Sequence, residues 1–141
     1  MRVLLVEDND INLLIAADIL EELGVTVDTA TDGQQAVERF AASPEGQYHL
    51  IFMDLRMPVM DGLAAARAIR GLPRSDANVP IVAMTADAFA EDVERTRAAG
   101  MNDHRQSLWI SALKAVLYQY HLTGKEERTR KSLHYFVCWQ S

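Results

Sequence analysis

The feature that most constrains this chain is a repeated alternation: a short run of strand-forming residues, then a longer stretch of helical period. Val3-Leu4-Leu5-Val6 ends at Glu7-Asp8-Asn9-Asp10. From Ile11 the period changes, with Ile11, Leu14, Ile15, Ile19 and Leu23 at helical spacing and Gly24 as the stop. Val25-Thr26-Val27-Asp28-Thr29 reads as a second strand. Thr31-Asp32-Gly33-Gln34 reads as a capping box with Thr31 at the cap, and Ala36, Val37 and Phe40 follow on one helical face. Leu50-Ile51-Phe52-Met53 ends at Asp54, and Asp61 is placed to cap a helix over 63–70. Val79-Pro80-Ile81-Val82-Ala83-Met84 ends at Thr85, and a helix then runs to about Ala99, closed by Gly100. The runs are continuously apolar rather than alternating, which predicts a parallel sheet covered on both faces. Strand and helix in strict alternation predict a doubly wound α/β fold.

After Gly100 the rhythm falters. A fifth strand is due near His104, but His104-Arg105-Gln106-Ser107 is polar, so only a short edge strand held by backbone bonds is expected. Leu113, Val116, Leu117 and Tyr120 resume a helical face, and Leu133 to Trp139 is a dense aromatic and β-branched run. The expected organisation is one domain over 1–120 and a tail over 121–141, whose aromatics are a candidate for self-association through an open sheet edge. At 141 residues the chain is long enough for one core without staples. A net charge of −6 argues against a nucleic-acid-binding surface. A single cysteine, Cys138, excludes an intramolecular disulfide and fits a reducing cytoplasm. No apolar run reaches the ~18 residues of a membrane span and no signal-peptide layout is visible, so the chain is expected to be cytoplasmic, without membrane contact, and to start where the fold starts.

In an open parallel sheet, ligands bind at the carboxyl ends of the strands. Glu7 and Asp8 close the first strand, Asp54 the third and Thr85 the fourth. If the first and third strands are neighbours, the acids converge on one pocket. Clustered carboxylates repel and call for a cation, and hard oxygen ligands without His or Cys suit Mg²⁺. A carboxylate is also a nucleophile toward phosphorus, forming an acyl phosphate, with the Thr85 hydroxyl placed to donate to the phosphoryl group. Alone, a Glu-Asp at a strand end is usually a helix cap, a role open to Asp8 or Asp10. A lone strand-end Asp is more often a loop residue than a nucleophile.

The segments Val3 to Asn9, Met53 to Gly62, Ala83-Met84-Thr85-Ala86 and Ala99-Gly100-Met101-Asn102-Asp103 together resemble the response-regulator receiver domain, most closely receivers of hybrid sensor histidine kinases. The resemblance implies a flavodoxin-like sheet of strand order 2-1-3-4-5. It implies that Asp54 is the phosphoacceptor and that Glu7, Asp8, Asp54 and the backbone carbonyl of Arg56 hold Mg²⁺. Thr85 would be the switch hydroxyl and His104 the switch aromatic position, with Gly62 relieving crowding beside the acceptor. The implied partner is a histidine kinase or a histidine phosphotransfer domain. Since the acceptor lies at the amino-terminal end of the first helix, that partner is expected to approach there, near Asn12 and Leu13.

One family feature is absent. Ser107 and Leu108 stand where the family carries a Lys-Pro pair, which removes a cation from an anionic site. Deletion of one base after the His104 codon would turn a family-like His-Leu-Ala-Lys-Pro stretch into the sequence found over 104–111; the gene sequence tests this. Three readings follow: a signalling phosphoacceptor, a degenerate receiver that only binds partners, and a metal-dependent aspartyl phosphatase. The last is opposed by Arg56, where such enzymes usually place a second Asp. No Gly-rich dinucleotide fingerprint follows the first strand. No output domain is visible after Tyr120, so the chain reads as a stand-alone receiver or a piece of a larger kinase.

Overall fold

The computed structural model describes residues 2–85 and 90–106. The element order is β1 (Arg2–Val6), α1 (Asp10–Glu22), β2 (Thr26–Ala30), α2 (Gly33–Ala42), β3 (Leu50–Asp54), α3 (Gly62–Arg70), β4 (Ile81–Thr85), α4 (Ala90–Ala98) and β5 (Asp103–Gln106). All strands are parallel, in the order β2-β1-β3-β4-β5. The expected doubly wound sheet is therefore present. Its polar β5 pairs with β4 over four register positions, from Val82 opposite Asp103 to Thr85 opposite Gln106. The expectations for Ser107, Leu108, the last helical face and the aromatic run lie outside the described residues.

Alternate residues of each central strand feed the two faces of the sheet. Leu4, Val6, Ile51, Met53, Ile81 and Ala83 pack on the side that carries Phe40 of α2 and Ala65, Ala66 and Ile69 of α3. Val3, Leu5, Leu50, Phe52, Val82 and Met84 pack on Ala16 and Leu20 of α1. This two-sided burial is why the central runs read as continuously apolar. β2 is an edge strand, and only Ala30 at its end is buried. On it Asp28 accepts from Arg2 Nη1 at 3.0 Å and from the Tyr48 hydroxyl at 2.6 Å.

Two local expectations are corrected. The cap of α1 is Asn9, not Asp8 or Asp10; its Oδ1 accepts from the amides of Ile11 and Asn12 at 3.1 and 3.0 Å. A cap must accept from amides two and three positions later, which leaves Asp8 outside the helix. The cap of α2 is Asp32, one residue later than the sequence pattern suggests. Asp32 accepts from the Gln35 amide at 2.8 Å, and Gln35 Oε1 accepts from the Thr31 amide at 3.1 Å. The helical spacing read from Ile11 to Leu23 is that of α1; of its residues, Ile19 and Leu23 pack against the core and Ile11, Leu14 and Ile15 do not. These side chains are 69%, 64% and 47% exposed, while Ala16 and Leu20 are buried. The first half of α1 is apolar on more than one face, so periodicity alone does not say which one is buried.

Candidate functional site

The site is built by sheet register. Val6 lies opposite Met53, so Glu7-Asp8 and Asp54 leave adjacent strands side by side. Glu7 still follows the sheet, its amide donating to the Ala30 carbonyl at 3.1 Å. One carboxylate oxygen from each of Glu7, Asp8 and Asp54 lies within 4.8 Å of the others. Among the described residues this is the one such cluster of three metal-ligating side chains. The three acids thus converge on one place at the end of the sheet.

Their electrostatics follow from burial. Glu7 is only 4% exposed. Burial, then the charge of Asp54, pushes its pKa up to about 7, against a bond from the Asn9 amide at 3.2 Å. Asp54 is raised to about 6, first by burial and also by Asp8, against the Arg56 amide, which donates to its Oδ1 at 3.3 Å. Three carboxylates with one buried member disfavour full ionisation, so the pocket takes up either protons or a cation. A small, hard, oxygen-only donor set fits Mg²⁺ and offers nothing to softer metals.

The loop between β3 and α3 walls the site. A cleft of about 390 Å³ is lined by Asp8, Arg56, Met57, Pro58, Asp61 and Arg95, among others. Asp61 caps α3 by accepting from the Ala64 amide at 2.8 Å. A Cβ at Gly62 would overlap the Asp54 carbonyl oxygen, so the close approach needs glycine, as the family resemblance implies. Thr85 closes β4, one position past the pairing of Asp54 with Met84, and His104 lies on β5 opposite Ala83. The backbone thus places Thr85 one strand, and His104 two strands, from Asp54 on β3; their side chains lie outside the description.

Two contributions escape the sequence. Arg95 lines the cleft from α4, and an arginine on an exposed position of a charged helix gives no sequence signal for this. The exposed Ile11, Leu14 and Ile15 of α1, the helix that follows Glu7-Asp8, are readable only as apolar residues, not as surface ones.

Such a sheet, with an acid triad at the carboxyl ends of its central strands, defines a flavodoxin-like α/β domain with its acids at the switch point between β1 and β3. Residues 3–105 match the family model of the response regulator receiver domain, and the chain belongs to that family. It is 36% identical over 131 residues to the aerobic respiration control sensor protein ArcB of Escherichia coli, covering 92% of this chain and 16% of that protein. It therefore spans a small part of the curated relatives it matches. Among solved structures it resembles the receiver domain of a sensor histidine kinase from Pseudomonas aeruginosa, with magnesium coordinated in its active site cleft. The TM-score is 0.75 at 38% identity, covering 84% of this chain and 95% of that one. It also resembles the receiver domain of the Saccharomyces cerevisiae response regulator Ssk1, solved with the histidine phosphotransfer protein Ypd1. There the TM-score is 0.76 at 34% identity, covering 86% and 90%. The chain is thus a receiver domain of the kind found in two-component and phosphorelay systems. Among the described residues no helix is long and apolar enough to cross a membrane.

Proposed function

We propose that this domain takes a phosphoryl group from a phosphohistidine onto Asp54, in a Mg²⁺-dependent step. The observation that carries the reading is the convergence of Glu7, Asp8 and Asp54 within 4.8 Å at adjacent strand ends. An Asp54 carboxylate oxygen attacks phosphorus. The P–N bond breaks, its electron pair goes to the imidazole nitrogen, which is protonated, and an acyl phosphate remains on Asp54. Glu7, Asp8, Asp54 and the Arg56 carbonyl are the candidate protein ligands. Mg²⁺ bound there supplies positive charge that offsets the carboxylates and the incoming phosphoryl oxygens. Thr85, at the end of the strand beside β3, is the candidate hydroxyl donor to the phosphoryl group, and His104 the candidate coupled position. Water later hydrolyses the acyl phosphate, which makes the state transient.

The partner is a histidine kinase or histidine phosphotransfer domain. Ile11, Leu14 and Ile15, exposed on the first half of the helix that follows Glu7-Asp8, support an apolar docking surface there; Asn12 and Leu13 are half-buried, Leu13 against the core. A phosphorelay role places the chain in the cytoplasm, with the domain extending over 1–120. The binding-only alternative rests on Ser107 and Leu108 in place of Lys-Pro; the complete acid triad favours chemistry. Incubation with acetyl phosphate separates the two. Label that requires Mg²⁺ and is lost in Asp54→Asn supports phosphorylation; an unlabelled wild-type chain that still binds a phosphotransfer partner supports the alternative.

A further inference from the structure

A strained residue sits beside the acceptor. Val59 has a φ of 68°, and the Met60 amide donates to the Pro58 carbonyl at 2.8 Å. A bond from residue i+2 back to i around a positive φ is a γ-turn of the rare, strained kind. A β-branched residue in this region is a genuine outlier, and such strain persists only where the surroundings over-determine it. The Val59 side chain is 84% exposed, so its own packing does not hold it there.

The hold comes from another loop. The Gly33 amide, first in α2, donates to the Met60 carbonyl at 3.0 Å. That amide is one of the helix's orphan donors, so the bond satisfies both partners. A Cβ on Gly33 would overlap the Met60 carbonyl oxygen and stand 3.0 Å from the Asp61 carbonyl oxygen. Both obstacles are backbone and cannot swing aside. The far end of the loop is pinned separately, by the Gly62 amide donating to the Leu55 carbonyl at 3.0 Å.

We propose that Gly33 is a positioning residue: its docking on Met60 holds Val59 in the γ-turn and so fixes the Met57-Pro58-Asp61 wall of the cleft that Asp8 lines. This rests on the proposed phosphoryl transfer for its functional consequence, but not for its mechanical claim. Gly33→Ala displaces the Met60 carbonyl and lets Val59 leave the strained region. Wall residues then shift against the acceptor while the acids stay on β1 and β3.

A double-mutant cycle tests the mechanics by denaturant unfolding, without metal or donor. Val59→Gly removes the strain and is expected to raise the folding constant of the otherwise wild-type chain roughly three- to tenfold. In a Gly33→Ala background the same change is expected to give no gain. Equal gains in both backgrounds, or no gain in the wild type, overturn the proposal. Should Gly33→Ala not fold, amide hydrogen exchange decides: the Gly33 amide must be protected in the wild-type chain, and exchange at an exposed-loop rate overturns the docking. The functional arm compares phosphorylation by acetyl phosphate in folded Gly33→Ala and wild-type chains. A rate reduced about tenfold or more supports positioning, because an ångström of misplacement has effects of that order; an unchanged rate refutes it. If the wild-type chain takes no label at all, the phosphoryl reading fails, while the stability cycle still judges the contact.

Discussion

Asp8 and Asn9 are neighbours with separate tasks, and the two can be told apart by what their loss changes. Asp8 contributes a carboxylate to the cluster and Asn9 caps α1. Asp8→Asn keeps the shape and removes a charge, so Mg²⁺ affinity is expected to fall at least about tenfold, since a hard cation responds to ligand charge. Titration calorimetry with unchanged affinity contradicts the assignment. Asn9→Ala leaves two amides of the first turn without their acceptor and is expected to destabilise the domain by about 1 kcal/mol. Urea unfolding within experimental error of wild type contradicts that role. The acids were legible in the sequence because a charge ending an apolar run is conspicuous. The cap was not, because Asp8, Asn9 and Asp10 are all competent cap residues, and only the backbone geometry at Asn9 selects one.

At the scale of elements, the sheet was legible and the faces of α1 were not. Val3 to Val6 and Leu50 to Met53 are apolar throughout because both sides of the central strands are covered, which leaves strand as the natural reading. In α1 the apolar residues are too many for one face. Ala16 and Leu20 take the core, and Ile11, Leu14 and Ile15 are left outside. An exposed apolar stripe beside an acid pocket is consistent with a partner surface. Leu14→Asp is therefore expected to leave stability within ~0.5 kcal/mol, as exposed substitutions do. It is expected to slow phosphotransfer from a histidine phosphotransfer protein about tenfold, while labelling by acetyl phosphate stays unchanged. Equal loss with both donors contradicts a docking role. The γ-turn at Val59 was also hidden, because neither Gly33 nor Val59 carries a sequence signal of a contact between two loops.

The whole molecule expresses its site electrostatics as a pH dependence of stability. Without divalent metal, Glu7 and Asp54 titrate at about 7 and about 6 when folded, above their ordinary 4.5 and 3.8. The folded chain then holds more protons than the unfolded one between about pH 4 and 7. Stability from these groups is full below that window and is lost as pH rises through it. Asp28 runs the other way. Burial raises its pKa, but the bonds from Tyr48 and Arg2 outweigh burial and leave it lowered, so its contribution is lost in acid. In EDTA the urea midpoint is expected to decline from pH 4.5 to 7, more shallowly in Asp54→Asn, and Mg²⁺ at pH 7 is expected to restore it. A midpoint that climbs over that range in EDTA contradicts the raised values.

The central claim is that the acid cluster makes Asp54 a phosphoryl acceptor, and one chemical trap tests it most directly. Borohydride reduces an acyl phosphate to an alcohol but leaves free carboxylates alone. After incubation with acetyl phosphate and Mg²⁺, then borohydride, peptide mass analysis is expected to find the carboxyl of residue 54 reduced, and no such product in EDTA. Reduction at another residue, or an unmodified residue 54 under conditions where Mg²⁺ binds, would contradict the account.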